Sequence, residues 1–279
     1  MRGKTIQIFL TDGTPRGIKI AEITSNIERA VFIPRNKMND AYNREEVTRP
    51  GVYFLFGESE GSAKPSVYIG QSRNCIDRIK SHDQKKDFWN YAVLIISKTE
   101  SFTQTHIEYL EQLAIAKAHE ANRYTLENGV SPKKFKVPET MEADLLDNFD
   151  TIKVLLSTLG FTLFESIKKD THSKKNTFYC TGKDAKAEGE YQEDGFVVFK
   201  NSIANLDFTP SAGAHIKNLR DKLLEAGVIK ENNGVLVFQD DYLFGSPSAA
   251  ACQVLGRYAN GWMEWKNNEG QTLDEVKRQ

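Results

Sequence analysis

Gly51-Val52-Tyr53-Phe54-Leu55-Phe56, followed by Ser66-Val67-Tyr68-Ile69-Gly70, is the stretch from which the fold is read. Aromatic and β-branched side chains dominate both runs, and they suit a pleated, half-buried surface. Between them, Gly57-Glu58-Ser59-Glu60-Gly61-Ser62-Ala63-Lys64-Pro65 is polar and rich in turn residues, so it reads as a loop. Two strands joined in this way are expected to be antiparallel neighbours. On such neighbours two tyrosines of equal facing present their hydroxyls to one surface.

Working outward, Ile6, Ile8 and Leu10 alternate with polar residues, Asp12-Gly13 supplies a turn, and Ile18, Ile20 and Ile23 return. That pattern predicts a β-hairpin. Pro34 and the polar residues Asn36–Arg49 read as a charged, helical connection, after which Pro50-Gly51 restarts strand structure. Downstream, a helix is expected from Cys75 to His82 with Ile76 and Ile79 on one side, then a strand at Tyr91–Ile96. A long helix follows from Thr103 to Ala121, with Ile107, Leu110, Leu113 or Ala114, and Ala118 at helical spacing.

Ser131–Pro138 reads as a linker. Glu139, Glu142, Asp144, Asp147 and Asp150 precede an apolar helix, Ile152–Leu159, that stops at Gly160; acids ahead of a helix suit its macrodipole. Further on, strands are expected at Thr177–Cys180 and Gly195–Phe199, with the polar insert Lys183–Gly195 between them as a surface loop. An amphipathic helix covers His215–Ala226 and a short strand Val235–Phe238. Ser246 as N-cap and Pro247 at the first helical position open a small-residue helix that Gly256 closes. The expected class is α+β: residues 1–49 a hairpin and charged connection, 50–130 a small antiparallel sheet flanked by helices, 131–160 a linker and helix, and 161–279 a C-terminal α+β domain.

Composition narrows the function. Hydrophobic residues are 39% and charged residues 27% of the 279, enough for packed domains and too balanced for global disorder. The longest apolar run, Ala92–Ile96, is strand-sized, and Met1-Arg2-Gly3-Lys4-Thr5 leads into a strand pattern with no signal-peptide core. A cytoplasmic protein without membrane segments is expected. Cys75, Cys180 and Cys252 are sparse and widely separated, which argues against a disulfide framework or a structural zinc site; His82, His106, His119, His172 and His215 include no HExxH arrangement. Net charge is −1, yet between Lys64 and Lys98 seven basic residues (Lys64, Arg73, Arg78, Lys80, Lys85, Lys86, Lys98) face three acids, a local excess of four. A phosphate backbone needs such a local basic face rather than a basic protein. Charge alone would favour an ordinary solvated helix face.

Gly51-Val52-Tyr53 and Val67-Tyr68-Ile69-Gly70 resemble the signature of the GIY-YIG nuclease family. The resemblance continues in order through Ser72 and Asn74, Arg78 on the next helix, His82 one turn later, Tyr109-Leu110-Glu111 on the long helix, and Glu127-Asn128-Gly129. It covers about Pro50–Gly129, under a third of the chain. It implies a nuclease fold in which Tyr53 is general base or water-positioner, Tyr68 a second hydroxyl near the phosphate, Arg78 a phosphate clamp and Glu111 the ligand of Mg²⁺ or Mn²⁺. His82 assists proton transfer or binds phosphate. Ser72, Arg73, Asn74, Lys80 and Asn128 are the expected substrate-binding residues.

The chemistry is coherent. A phenol with an ordinary pKa near ~10 works as a base only if positive charge lowers that pKa, and Arg78 could supply the charge. A single carboxylate per divalent cation, completed by water and phosphate oxygens, is normal for magnesium on phosphates. Each residue also has a plainer reading: the tyrosines as strand aromatics, Arg78 as a solvated or paired cation, His82 as a helix-end residue, Asn128 as half of an Asn-Gly turn. Glu108, three residues before Glu111 on nearly the same helix face, is a rival metal ligand, although the Leu-Glu context favours Glu111.

The stretch Phe244-Gly245-Ser246-Pro247-Ser248-Ala249-Ala250-Ala251, with Asn260-Gly261-Trp262 and Trp265-Lys266, resembles an uncharacterised domain that commonly trails GIY-YIG modules in bacterial proteins. Trp262 and Trp265 could stack on unpaired bases, with burial the default. The expected function is a divalent-metal-dependent endonuclease acting on phosphodiesters of a nucleic acid, with DNA the leading substrate. RNA or a small phosphodiester is a further possibility. The alternative is a catalytically silent nucleic-acid-binding or adaptor protein that keeps the fold.

Overall fold

The computed structural model describes residues 3–59, 62–129, 136–165, 176–210 and 212–278. The chain is α+β and forms two compact units, Met1–Glu60 with Lys64–Ser166, and Gly61–Ala63 with Ile167–Gln279.

The first unit is built on strands β1 (Ile6–Leu10), β2 (Lys19–Ile23), β3 (Glu28–Pro34), β4 (Gly51–Gly57), β5 (Ser66–Ser72), β6 (Trp89–Ser97) and β7 (Thr125–Leu126). They form one sheet in the order β1-β2-β3-β6-β4-β5-β7, antiparallel except where β7 runs parallel to β5. Its helices are α1 (Met38–Ala41), α2 (Cys75–Asp83), α3 (Gln104–Ala121) and α4 (Glu139–Thr158).

β4 sits near the centre of this sheet and is buried on both faces, which is why it reads as a continuous apolar run rather than an alternating one. Val52, Phe54 and Phe56 share one core with Ile107, Leu110 and Ala114 of α3 and with Leu145, Phe149 and Ile152 of α4. Tyr53 and Leu55 point the other way, into a second core with Ile76 and Ile79 of α2 and Met38 and Ala41 of α1. The sheet is thus a wall between two apolar layers, and the odd residues of β4 face α2.

Residues 1–49, read as a hairpin and a connection, supply three strands to this same sheet. The predicted hairpin is present, with Ile6 opposite Ile23 and Leu10 opposite Lys19. The sequence reading passed over β3, whose central Ala30–Ile33 is buried although Glu28, Arg29 and Pro34 bound it. The predicted helix at Ile152–Leu159 starts earlier. α4 begins at Glu139, so Asp144, Asp147 and Asp150 lie inside it on the exposed side, opposite Leu145, Phe149 and Ile152. Of the linker expected at 131–138, residues 131–135 lie outside the described residues.

The second unit contains β8 (Thr177–Gly182), β9 (Ala185–Gln192), β10 (Gly195–Val198), β11 (Ile203–Asn205), β12 (Ile229–Asn232), β13 (Val235–Phe238) and β14 (Tyr242–Phe244). The sheet runs β12-β13-β11-β9-β10-β14, with β8 also paired to β9. Helices α5 (Ala214–Glu225), α6 (Pro247–Leu255), α7 (Gly261–Glu264) and α8 (Leu273–Lys277) accompany it. The predicted cap is made as expected: the Ser246 hydroxyl accepts from the Ala249 N–H, and Gly256 closes α6 at φ +66°.

The insert Lys183–Gly195, expected as a surface loop, contains the central strand β9. Its buried face is Ala185, Ala187 and Gly189, so the inward positions carry no large apolar side chain to signal a strand. Gly189 has to be small, because a Cβ there would lie 2.4 Å from Phe196 Cε1 and from the Val197 carbonyl oxygen. The core gathers Phe178, Phe196, Phe238, Phe244, Val254 and Trp265. Trp265 is fully buried and donates through its indole N–H to the Pro247 carbonyl at 3.1 Å.

A guanidinium is buried here and held by amide and carbonyl oxygens. Arg220 donates from Nε to Gln253 Oε1 at 3.0 Å, from Nη1 to the Asn205 carbonyl at 2.8 Å, and from Nη2 to the Gln253 carbonyl. Its flat side lies 4.5 Å from the centre of the Phe208 ring. Burial pulls its pKa down to about 10, which still leaves it charged at neutral pH. These bonds tie α5, α6 and β11 together.

Among the described residues no helix is long and apolar enough to cross a membrane.

Candidate active site

The site grows from the β4–β5 hairpin. Its register sets Tyr53 opposite Gly70 and Leu55 opposite Tyr68, so Tyr53, Leu55, Tyr68 and Gly70 share the face toward α2. Gly70 has no side chain because the Tyr53 ring occupies that space: a Cβ would lie 2.3 Å from the Tyr53 hydroxyl oxygen and 2.4 Å from its Cζ. The glycine that ends the second strand is therefore the seat of the first tyrosine.

α2 brings the next two groups. Cys75, Ile76 and Ile79 anchor it in the core, and Arg78 and His82, four residues apart, share the side toward the tyrosines. Tyr53 is 1% exposed and His82 7%, and the Tyr53 hydroxyl lies 3.0 Å from His82 Nε2. The Tyr68 and His82 rings are 4.8 Å apart, and the Tyr53 and Tyr68 rings 6.2 Å. The Arg78 guanidinium interacts with both phenols, Tyr53 first and then Tyr68, which raises its own pKa.

α3 brings the carboxylate. The outer edge of β5 is satisfied at every second residue: Pro65 and Val67 carbonyls accept from Thr125 and Glu127, and Asn128 bonds the N–H and C=O of Ile69 at 3.1 and 2.7 Å. Next along this edge is the Gln71 N–H, which acts on Glu111 to lower its proton affinity. Glu111 also feels the charges of Glu108 and Arg78, and Tyr53 feels Glu111, so the carboxylate faces the tyrosine–arginine cluster. Glu108 is engaged otherwise, accepting from Gln104 Nε2 at 2.7 Å. Of the two candidate carboxylates, Glu111 is the one that interacts with Arg78 and Tyr53.

Burial governs the proton affinities. Desolvation comes first for Glu111 and, with Glu108 nearby, carries it up to about 7 against the pull of the Gln71 N–H and Arg78. Desolvation also pulls His82 down to about 4, helped by Arg78, Lys86 and Lys85, so the imidazole is neutral at physiological pH. The Tyr53 phenol shifts opposite to the expectation. Burial and the neighbouring Tyr68 raise it well above the ordinary value, outweighing Arg78, because the hydroxyl is enclosed while Arg78 is exposed. In the free protein this phenol is protonated.

The remaining sequence candidates divide. Ser72 and Asn74 form the turn into α2: the Ser72 hydroxyl bonds the Asn74 carbonyl at 2.7 Å, and the Asn74 side chain caps the helix at the Asp77 N–H. Asn128 holds the β5 edge beside Tyr68 and Gly70. Arg73 is exposed and donates to Gln104 Oε1 at 2.9 Å, joining the Gln104–Glu108 side of the site. Lys80 is not brought in. It lies roughly 200° around α2 from Arg78, with its amine 5.1 Å from the centre of the Tyr42 ring.

Two contributors escaped the sequence reading. Lys86 sets its amine 4.5 Å from the centre of the Tyr68 ring, a cation beside the half-buried tyrosine. It was visible only as one of several lysines after α2. The Gln71 backbone carries no side-chain signal at all.

Among the described residues no group of three or more His, Cys, Asp or Glu side chains could hold a metal ion. A cation at Glu111 would therefore rest on one protein carboxylate, with water and substrate oxygens for the rest of its shell. A lone hard oxygen donor fits magnesium or manganese on a phosphate and does not fit a structural zinc.

Comparison with known proteins assigns only the second unit: residues 178–277 match the family described as Domain of unknown function (DUF4357). That match includes Phe244–Ala251, Trp262 and Trp265. No curated protein and no solved structure matches the chain.

Proposed function

We propose that the first unit is a GIY-YIG-type nuclease that hydrolyses phosphodiester bonds with a divalent cation, most simply in DNA. One observation carries this reading: Tyr53, Tyr68, Arg78, His82 and Glu111, drawn from two strands and two helices, act on one another around a single point. Buried packing alone gives no reason to assemble two phenols, a guanidinium, an imidazole and a carboxylate.

Glu111 would hold Mg²⁺ or Mn²⁺. When bound, the cation supplies positive charge to the phosphate oxygens and acidifies water. The Arg78 fork grips the phosphate and offsets charge as it builds on the pentavalent phosphorus. Tyr53 is protonated at rest, so it takes a proton from the attacking water only by passing its own to His82 Nε2, 3.0 Å away. This requires the His82 tautomer with its proton on Nδ1. Burial first, and then Arg78, Lys86 and Lys85, hold His82 low in the free protein. A bound phosphodiester offsets those charges, the lesser part of the shift, and so raises the basicity of the imidazole without relieving its burial.

A second reading is a binding protein that keeps this fold without cleaving. It is favoured by the raised pKa of the Tyr53 phenol, which removes the simplest general base.

One experiment separates the two. Purified protein is incubated with supercoiled plasmid, single- and double-stranded oligonucleotides and RNA, with Mg²⁺ or Mn²⁺, beside Tyr53→Phe, Arg78→Ala and Glu111→Ala. Cleavage by wild type that each variant loses supports the nuclease. Binding without cleavage supports the second reading, and equal cleavage by all four proteins discards the assigned site.

A further inference from the structure

β1 is an edge strand: β2 covers one side and no strand among the described residues covers the other. Edge strands are commonly blunted by an inward charge, a proline or a bulge. β1, Ile6-Gln7-Ile8-Phe9-Leu10, has none of these; Ile6, Ile8 and Leu10 make one face apolar, and Phe9 stands beside Gln7 on the other. Ile8 is 44% exposed on one face and Phe9 61% on the other, and Phe9 is the most exposed large hydrophobic side chain among the described residues. Phe9 also borders a shallow pocket lined by Gln7, Ile20, Glu22 and Arg29.

The backbone is oriented for a partner. The Thr11 N–H donates to the Ile18 carbonyl at 3.2 Å, so by antiparallel alternation Gln7, Phe9 and Thr11 turn their ladder groups toward β2. Ile6, Ile8 and Leu10 turn theirs outward. Of these, the Leu10 carbonyl already accepts from the Gly13 N–H at 3.2 Å.

From this we infer that two copies of the chain pair through β1, antiparallel, about a two-fold axis at Ile8. In that register Ile8 meets Ile8, each Ile6 meets Leu10, and each Gln7 meets Phe9. Beyond both strand ends Lys4 falls opposite Asp12, whose exposed carboxylate also accepts from the Thr14 N–H and hydroxyl at 3.0 Å, so the segment is complementary to itself in charge sign as well as in outward backbone groups. Other registers lose that charge match or shorten the ladder. The interface is isologous and closes at two copies, consuming the open edge.

Residues directly opposite in an antiparallel ladder face the same way, so the joined sheet turns both site faces to one side. Phe9, Ile20, Val31, Leu94 and Tyr53 form one row across β1, β2, β3, β6 and β4. The two Tyr53 residues would then stand roughly 40 Å apart, nine strand spacings of ~4.8 Å less twist. Use of that spacing on a two-stranded substrate rests on the nuclease reading; the pairing does not.

The test is therefore one of assembly, on the full chain. Sedimentation equilibrium of wild type should give twice the 31.6 kDa chain mass. Ile8→Pro removes an outward N–H that the β1–β2 ladder does not use, and Ile8→Lys adds repelling charges at the axis. Each should raise the dimer dissociation constant at least tenfold with the circular dichroism unchanged. Ile8→Cys should cross-link to a dimer on mild oxidation, the three native cysteines being buried. A monomeric wild type at tens of micromolar would overturn the proposal, β1 then being bare or covered by another segment. So would a dimer that all three variants leave intact and uncross-linked.

Discussion

The Tyr53 hydroxyl and His82 Nε2 are 3.0 Å apart and closed from solvent, though they lie on different elements 29 residues apart. Both are neutral at rest. That neutrality is a consequence of burial rather than of the residue types, and it can be measured.

His82 should titrate near pH 4 rather than near its ordinary 6.5. As the pH falls through 6.5 the unfolded chain takes up a proton that the folded imidazole refuses until about 4. Stability is therefore lost on acidification across that window and is unaffected by this group above it. NMR of the imidazole against pH reports the midpoint directly. A midpoint near 6.5 would mean that the imidazole is hydrated rather than buried.

Glu111 carries the opposite sign. Its folded pKa is raised from 4.5 to about 7, so its stabilising contribution is full below 4.5 and lost as the pH rises through 7. Glu111→Gln keeps an oxygen for the Gln71 N–H and removes the buried charge. It should melt higher than wild type at pH 8, match it near pH 4, and lose cleavage at both. Equal melting temperatures at pH 8 would show that the carboxylate is well solvated. The same proton predicts that calorimetric binding of Mg²⁺ at pH 6.5 releases protons to the buffer.

Gly70→Ala should displace the Tyr53 ring, since the new methyl would sit 2.3 Å from its hydroxyl oxygen in a packed layer. Overpacking of this kind costs roughly 1–3 kcal/mol. Cleavage should fall with it because the Tyr53–His82 contact is broken. In a Tyr53→Ala background the same substitution should cost much less, so a double-mutant cycle by urea denaturation should depart from additivity. Additive costs would separate Gly70 from the ring.

Arg220→Met would leave the Gln253 side-chain oxygen and the Asn205 and Gln253 carbonyls without their donor. Unfolding the full chain in urea should show the C-terminal unit weakened by on the order of 3 kcal/mol. Arg220→Lys should recover only part of this, because one ammonium cannot span α6 and β11 as the fork does. Full recovery by lysine would mean that charge, rather than geometry, is what the site needs.

Much of this was legible in the chain itself. Strands with large apolar residues declared themselves, as β4, β5 and β6 did, and so did the caps at Ser246 and Gly256, because their signals are local. β9 did not, since its buried face is alanine and glycine, and β3 did not, since charges and a proline bound it. Of the site, Tyr53, Tyr68, Arg78, His82 and Glu111 could be named from their order along the chain. Lys80 could not be excluded, because helical phase relative to the tyrosines is invisible until α2 is docked.

What the sequence by itself determined, then, is the order of the candidate residues along the chain and which strand carries each tyrosine. The tertiary structure decided their state: a protonated Tyr53, a neutral His82, a Glu111 raised to about 7, and the choice of Glu111 over Glu108 as the acid facing Arg78. The reason is physical. Proton affinity depends on how much water and which charges surround a group, and that environment is assembled from segments far apart in the chain.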